Sequence, residues 1–182
     1  IFGKSKKERE IPLKHKVFVG VSGGVDSSVT AAMLKDEGYD VTGVFIRTWT
    51  PEFLECSWRD ERRDAIRVCA HLGIPFLECD GEDAYKRGVA DYMISEYRLG
   101  RTPNPDVMCN REVKFGVFWD FAKSHGADFI ATGHYAQNKN NSLYKGKDES
   151  KDQCYFLWTL TKDDLSHTLF PVGCLEKRNI KK

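Results

Sequence analysis

From Lys16 onward, short apolar runs alternate with longer amphipathic stretches, and this alternation leaves the chain few folds to choose from. "KVFVGV" (16–21) is continuous and β-branched, as a strand buried on both faces is. A helix is predicted over 28–37, stopping at Gly38, where a left-handed C-terminal residue fits. Strand "VTGVFI" (41–46), a long loop, a helix over 60–72 ending on Gly73 and strand "PFLEC" (75–79) follow. Further helices are predicted over 82–97 and 114–124, the second leading into strand "DFIATG" (128–133). The expected fold class is α/β, a Rossmann-like parallel sheet of about five strands with helices on both faces. "AQNKNNSLYKG" (136–146) reads as a hairpin turning at Asn140 and Asn141, and "QCYFLWTLTKDDLSHTLF" (153–170) as one or two short helices.

Three parts are expected: a basic arm over 1–15, a catalytic domain over 16–138, and a hairpin and helical segment over 139–182. With 182 residues, 41% of them hydrophobic, the chain has enough apolar surface for an ordinary core and needs no disulfide scaffold. A net charge of +1 gives no bulk field toward nucleic acid, so any such binding must use a local patch. No apolar run is long enough to span a membrane, and the charged start lacks a signal peptide's hydrophobic centre. The expected setting is the cytoplasm. Six cysteines without a C-x-x-C pair then read mostly as packing thiols. The chain starts without Met and stops at "EKRNIKK", and is expected to be part of a longer protein.

Between the first strand and its helix lies "GVSGGVDSS" (20–28). Gly23 and Gly24 free the backbone for close approach, Ser22, Ser27 and Ser28 add hydroxyls, and the helix N-terminus adds oriented N–H groups. A plain strand-to-helix turn accounts for a single capping Asp26 or Ser27, but not for two glycines, three serines and an aspartate in seven residues. The loop is expected to hold phosphate. It is neither a Walker A loop nor a G-x-G-x-x-G dinucleotide turn.

"SGGVDSS" resembles the PP-loop of the ATP pyrophosphatases, which cleave ATP between its α and β phosphates and transfer AMP to a substrate oxygen. "GRTPNPDVMCNREVKFG" (100–116), "ATGHYA" (131–136), "KDQCYFLWTL" (151–160) and "LFPVGCLEK" (169–177) follow in that order. The five motifs together resemble the tRNA-specific 2-thiouridylases, which replace O2 of the wobble uridine by sulfur. The resemblance implies ATP bound by Gly20, Val21, Ser22, Gly23, Gly24, Val25, Asp26 and Ser27, with Ile46 at the adenosine and Gly133 giving the nucleotide room. It implies contact with the target base by Asn104, Pro105 and Asp106, contact with tRNA by Lys151, Asp152 and Gln153, and Cys109 as catalytic nucleophile. Phosphate chemistry implies Mg²⁺, for which only Asp26 offers a weak candidate ligand.

Family members carry sulfur as a persulfide on a second cysteine. That residue, the disulfide bond it could make, and the family's C-terminal tRNA-binding domains are expected beyond Lys182. A sulfur-donor protein, a cysteine desulfurase or relay protein, is the implied partner besides tRNA. Cys154 and Cys174 share only the element with that role. An iron–sulfur cluster using Asp106 and Cys109 ranks second, since two protein ligands fall short of the usual four. Two other readings stay open: a PP-loop ligase acting on a small molecule, and a binding module without activity. His134 is weighed equally as a site residue and as a structural histidine, and the remaining histidines lack metal-ligand spacing.

Overall fold

The computed structural model describes residues 14–51 and 58–180. Most of the basic arm and Cys56 therefore lie outside the described residues. Five strands form one parallel sheet: β1 (Lys16–Gly20), β2 (Asp40–Arg47), β3 (Phe76–Asp80), β4 (Phe129–Ala131) and β7 (Thr168–Leu169), in the order β3-β2-β1-β4-β7. β5 (Ala136–Lys139) and β6 (Ser142–Lys145) pair separately as a hairpin. Asn140 and Asn141, at φ of 53° and 55°, make the left-handed two-residue turn that suits the strands' twist.

Alternate residues of β1 face opposite cores, which explains its unbroken apolar run. Val17 and Val19 pack with Ala31, Leu34, Ala65 and Cys69, from α1 (Val25–Asp36) and α2 (Trp58–Leu72). Phe18 instead packs with Phe115, Phe118 and Ala122 on the other face. Helices thus cover both faces. In β2, Gly43 is required because a Cβ there would sit 2.3 Å from the Cys69 sulfur.

Two helices depart from their expected form. α3 spans 82–98 as Glu82–Tyr85, a π-helical stretch Lys86–Asp91, and Tyr92–Arg98. α4 spans 105–124 as Pro105–Cys109, a π-helical stretch Asn110–Val117, and Phe118–Ser124. The expected start of α4 at Lys114 is therefore nine residues late, and "TPNPDVMC" (102–109) runs into the start of a helix. Asn104 is its N-cap, with Oδ1 accepting from the Val107 N–H at 3.2 Å, and Pro105 takes the first helical position, where it loses no bond. The π stretches abut: a Cβ on Gly88 would lie 2.7 Å from the Glu112 side chain.

The tail also differs. A 3₁₀ turn (Cys154–Leu157) and α5 (Lys162–Ser166) precede a strand that the helical reading missed, since β7 is two residues long and adds to the sheet beside β4. α5 is fixed by a reciprocal cap between Thr161 and Asp164. A second 3₁₀ turn (Pro171–Cys174) and α6 (Lys177–Ile180) end the described chain. Among the described residues no helix is long and apolar enough to cross a membrane.

Candidate functional site

Strand order reverses between β1 and β4, and a crevice opens where their C-terminal ends diverge, the usual ligand position in open α/β sheets. A cavity of about 320 Å³ lies there. Gly20, Val21, Ser22, Asp26 and Ser27 form its floor, Ile46 and Thr48 one side, and Thr132, Gly133 and His134 the other. From above, α4 contributes Cys109, Val113 and Lys114, and Gln153 closes the rim. A phosphate-type loop and a thiol thus share one space.

The loop is held by its own hydroxyls. Ser27 Oγ accepts from the Ser22 N–H at 3.3 Å and donates to the Gly24 carbonyl at 3.1 Å, while Ser28 Oγ donates to that same carbonyl at 2.8 Å. Gly24 caps α1 without a side-chain bond, so the first N–H groups of this twelve-residue helix stay available to an anion. Gly23 adopts φ +76° and packs on α2, where a Cβ would meet that of Asp64 at 2.6 Å. Gly133 lines the cavity and also has a packing reason. The space its Cβ would take is filled by the backbone of Asp26 and Ser27 at 2.9 Å, so it lets the end of β4 reach the first turn of α1.

Asp26 is not an open carboxylate. Its Oδ1 accepts from the Tyr135 hydroxyl at 2.8 Å and from the Lys177 ammonium, which also lies 5.5 Å from the centre of the Tyr135 ring. Among the described residues no three His, Cys, Asp or Glu side chains converge as metal ligands. The Oδ1 of Asp26, the one weak candidate ligand for Mg²⁺, is thus already engaged by a hydroxyl and an ammonium. Sequence reasoning missed Lys177 and Tyr135 as neighbours of the loop, although both fall inside quoted motifs.

Cys109 is half-buried, and burial pushes its thiol above the ordinary range; the charge of Lys114 works against that rise and Asp106 adds to it. His134 is buried, with Nδ1 hydrogen-bonded to Thr132 Oγ1 at 2.8 Å and its ring near Phe115 and Phe170. Burial, then Lys114, depresses its pKa to about 3, so the imidazole faces the cavity uncharged. The two readings of His134 are joined in one residue: it is structurally satisfied and it lines the site.

The cavity lining stops short of Asn104, Pro105 and Asp106, which form the start of α4. The "KDQ" run divides. Lys151 is exposed; Asp152 Oδ1 accepts from the N–H groups of Gly146 and Cys154; Gln153 Oε1 accepts from the Tyr135 N–H at 2.9 Å. Cys69, Cys79, Cys109, Cys154 and Cys174 are all free thiols. Cys154 donates to the Tyr144 carbonyl, and burial followed by Asp152 pushes its pKa up to about 12.

The profile of the tRNA methyl transferase HUP domain family matches residues 15–182. The chain belongs to that family. Curated relatives include the tRNA-specific 2-thiouridylases of Christiangramia forsetii, 49% identical over 92% of this chain, and of Streptococcus sanguinis, also 49% identical over 92%. The chain spans about half the length of these relatives, 45% and 47%. Among solved structures, a 4-thiouridine synthetase bound to RNA and ATP superposes with a TM-score of 0.60 at 20% identity, covering 91% of this chain and 39% of that one. A predicted tRNA methyltransferase subunit from Methanocaldococcus jannaschii gives 0.54 at 17% identity, covering 92% and 72%. These likenesses bear on the fold, and that fold is shared.

Proposed function

We propose that the protein thiolates the wobble uridine of tRNA at C2, using ATP to activate O2. The observation that carries this reading is the single cavity in which the loop 20–27 and Cys109 meet. Both tools of the reaction are needed at one place. A carbonyl-type oxygen leaves poorly, so O2 first attacks the α phosphate of ATP and pyrophosphate departs. Sulfur then attacks C2, and O2 departs as part of AMP.

In this reading the α1 N-terminus, Ser22 and Ser27 hold phosphate, Ile46 meets the adenosine, and Cys109 is the nucleophile of the sulfur step. Asn104, Pro105 and Asp106 orient the target base through the start of α4, and Lys151, Asp152 and Gln153 contact tRNA. His134, uncharged, offers a hydrogen bond rather than a charge. Sulfur arrives from a donor protein through a second cysteine outside this chain. Mg²⁺ is given no protein ligand and no step. The names of the 49% identical relatives agree with this assignment.

The test is pyrophosphate release with and without tRNA, together with mass spectrometry of wobble uridines in cells carrying Cys109→Ala. Release is expected to need tRNA, and 2-thiouridine is expected to vanish in the variant. Normal 2-thiouridine there would reduce Cys109 to a packing residue. Release driven by a small molecule without tRNA would point to a different ligase.

A further inference from the structure

We propose that Lys114 is a positioning residue that supplies the counter-charge for a thiolate at Cys109. The inference rests on the reading of Cys109 as nucleophile and deepens it. Five residues separate the two on α4. In a regular α-helix of about 3.6 residues per turn, that separation is about 140° around the axis, and the side chains would diverge. Here both line one cavity. What intervenes is the π-helical stretch Asn110–Val117, whose wider turn is marked by the Phe118 N–H bonding to the carbonyl of Val113, five residues back.

Gly116 eases that turn. A Cβ there would stand 3.0 Å from the Arg111 carbonyl oxygen, again five residues back. The sequence "CNREVKFG" thus carries a cysteine, a lysine and the glycine that lets them share a face. Local π stretches of this kind cost regular hydrogen bonding and recur at functional sites.

Lys114 takes part in none of the ion pairs found among the described residues, whereas Lys177 is committed to Asp26. A half-buried lysine turned into a cavity without its own carboxylate suits an anion formed there. The groups around Cys109 come from several elements: Asp106 and Lys114 on α4, Tyr85 on α3, His134 after β4, and Asp26 and Glu61 across the cavity. Of these, Lys114 alone is cationic, since His134 is held neutral by burial. When the thiol ionises, its proton leaves to water and the sulfur's charge is left facing Lys114. Burial and Asp106 both oppose that ionisation.

The experiment is the pH dependence of Cys109 alkylation by iodoacetamide, followed by mass spectrometry of the Cys109 peptide in the intact protein. Lys114→Gln keeps a polar group in the cavity without the charge, and Lys114→Arg restores the charge. Loss of an opposite charge nearby is expected to move the Lys114→Gln midpoint up by about 1 pH unit, roughly tenfold slower labelling below it. Lys114→Arg is expected to keep the wild-type midpoint. An unchanged midpoint in Lys114→Gln overturns the proposal. So does an unchanged midpoint accompanied by weakened ATP binding, which would make Lys114 a phosphate ligand. Alkylation uses neither ATP nor tRNA, so the thiolation reading can fail while this result stands, and the reverse also holds.

Discussion

Replacing Gly133 by Ala tests how the two halves of the cavity are joined. The new methyl carbon would come 2.9 Å from the Asp26 carbonyl carbon and the Ser27 nitrogen, and 3.0 Å from Asp26 Cβ. Favourable contact lies at about 3.5–4.0 Å, so the end of β4 and the first turn of α1 must part by roughly 0.5–1 Å. The atoms in the way are mostly backbone, so no side chain can swing aside to relieve them. Overpacking of this kind costs about 1–3 kcal/mol, which for a chain of this size lowers the melting temperature by roughly 2–12 °C. If the proposed ATP complex requires the close β4–α1 approach that the free variant relaxes, about 1.4 kcal/mol of restored misfit weakens ATP binding about tenfold. Gly20→Ala is the control. Its Cβ would meet Phe118, Ile46 and Ala131 at 3.6, 3.8 and 3.9 Å, ordinary contacts in the same crevice. Differential scanning fluorimetry and ATP calorimetry on both variants decide the matter. Equal melting of the two would refute the packing argument.

Three further outcomes are expected. Lys177→Met and Asp26→Asn should each destabilise the protein, and a double-mutant cycle by urea denaturation should give a coupling of about 1 kcal/mol between these partly exposed groups; strict additivity would mean that they do not interact. His134, with its pKa held to about 3 against about 6.5 when unfolded, stays neutral while the unfolded chain takes up a proton, so this residue's contribution to stability is full above about pH 6.5 and falls as pH drops toward 3. An NMR titration of His134 with a midpoint near 6.5 would contradict that. Cys174 is exposed and should be alkylated at pH 8 well before Cys154, whose thiol is pushed up to about 12; peptide mapping showing the opposite order would contradict that shift.

The sheet was legible because buried parallel strands must be apolar on both faces, a demand that Val17, Phe18 and Val19 meet at once. The glycine- and serine-rich turn after β1 was legible because its residues are local, all within nine positions. The start of α4 at Pro105 was missed. Proline is tolerated at the first helical position, so the same letters that suggest a loop also open a helix. The π stretches have only Gly88 and Gly116 as a trace, and the meaning of a glycine depends on which carbonyl or side chain sits opposite it. β7 escaped because two residues establish no periodicity. Lys177 and Lys114 were present in the quoted motifs, but which acid or thiol each would meet is decided by the fold and not by neighbours in sequence.

The Lys177–Asp26 contact joins residues 151 positions apart. During synthesis, at about 5–20 residues per second, the lysine is added roughly 8–30 s after the loop it will secure. β7, the outer strand beside β4, also comes late. The loop after β1 is therefore among the last parts of the cavity to be finished. A nascent chain arrested before residue 168 lacks both the fifth strand and the lysine, and for that interval the crevice beside the loop is an unfinished surface exposed to the cell.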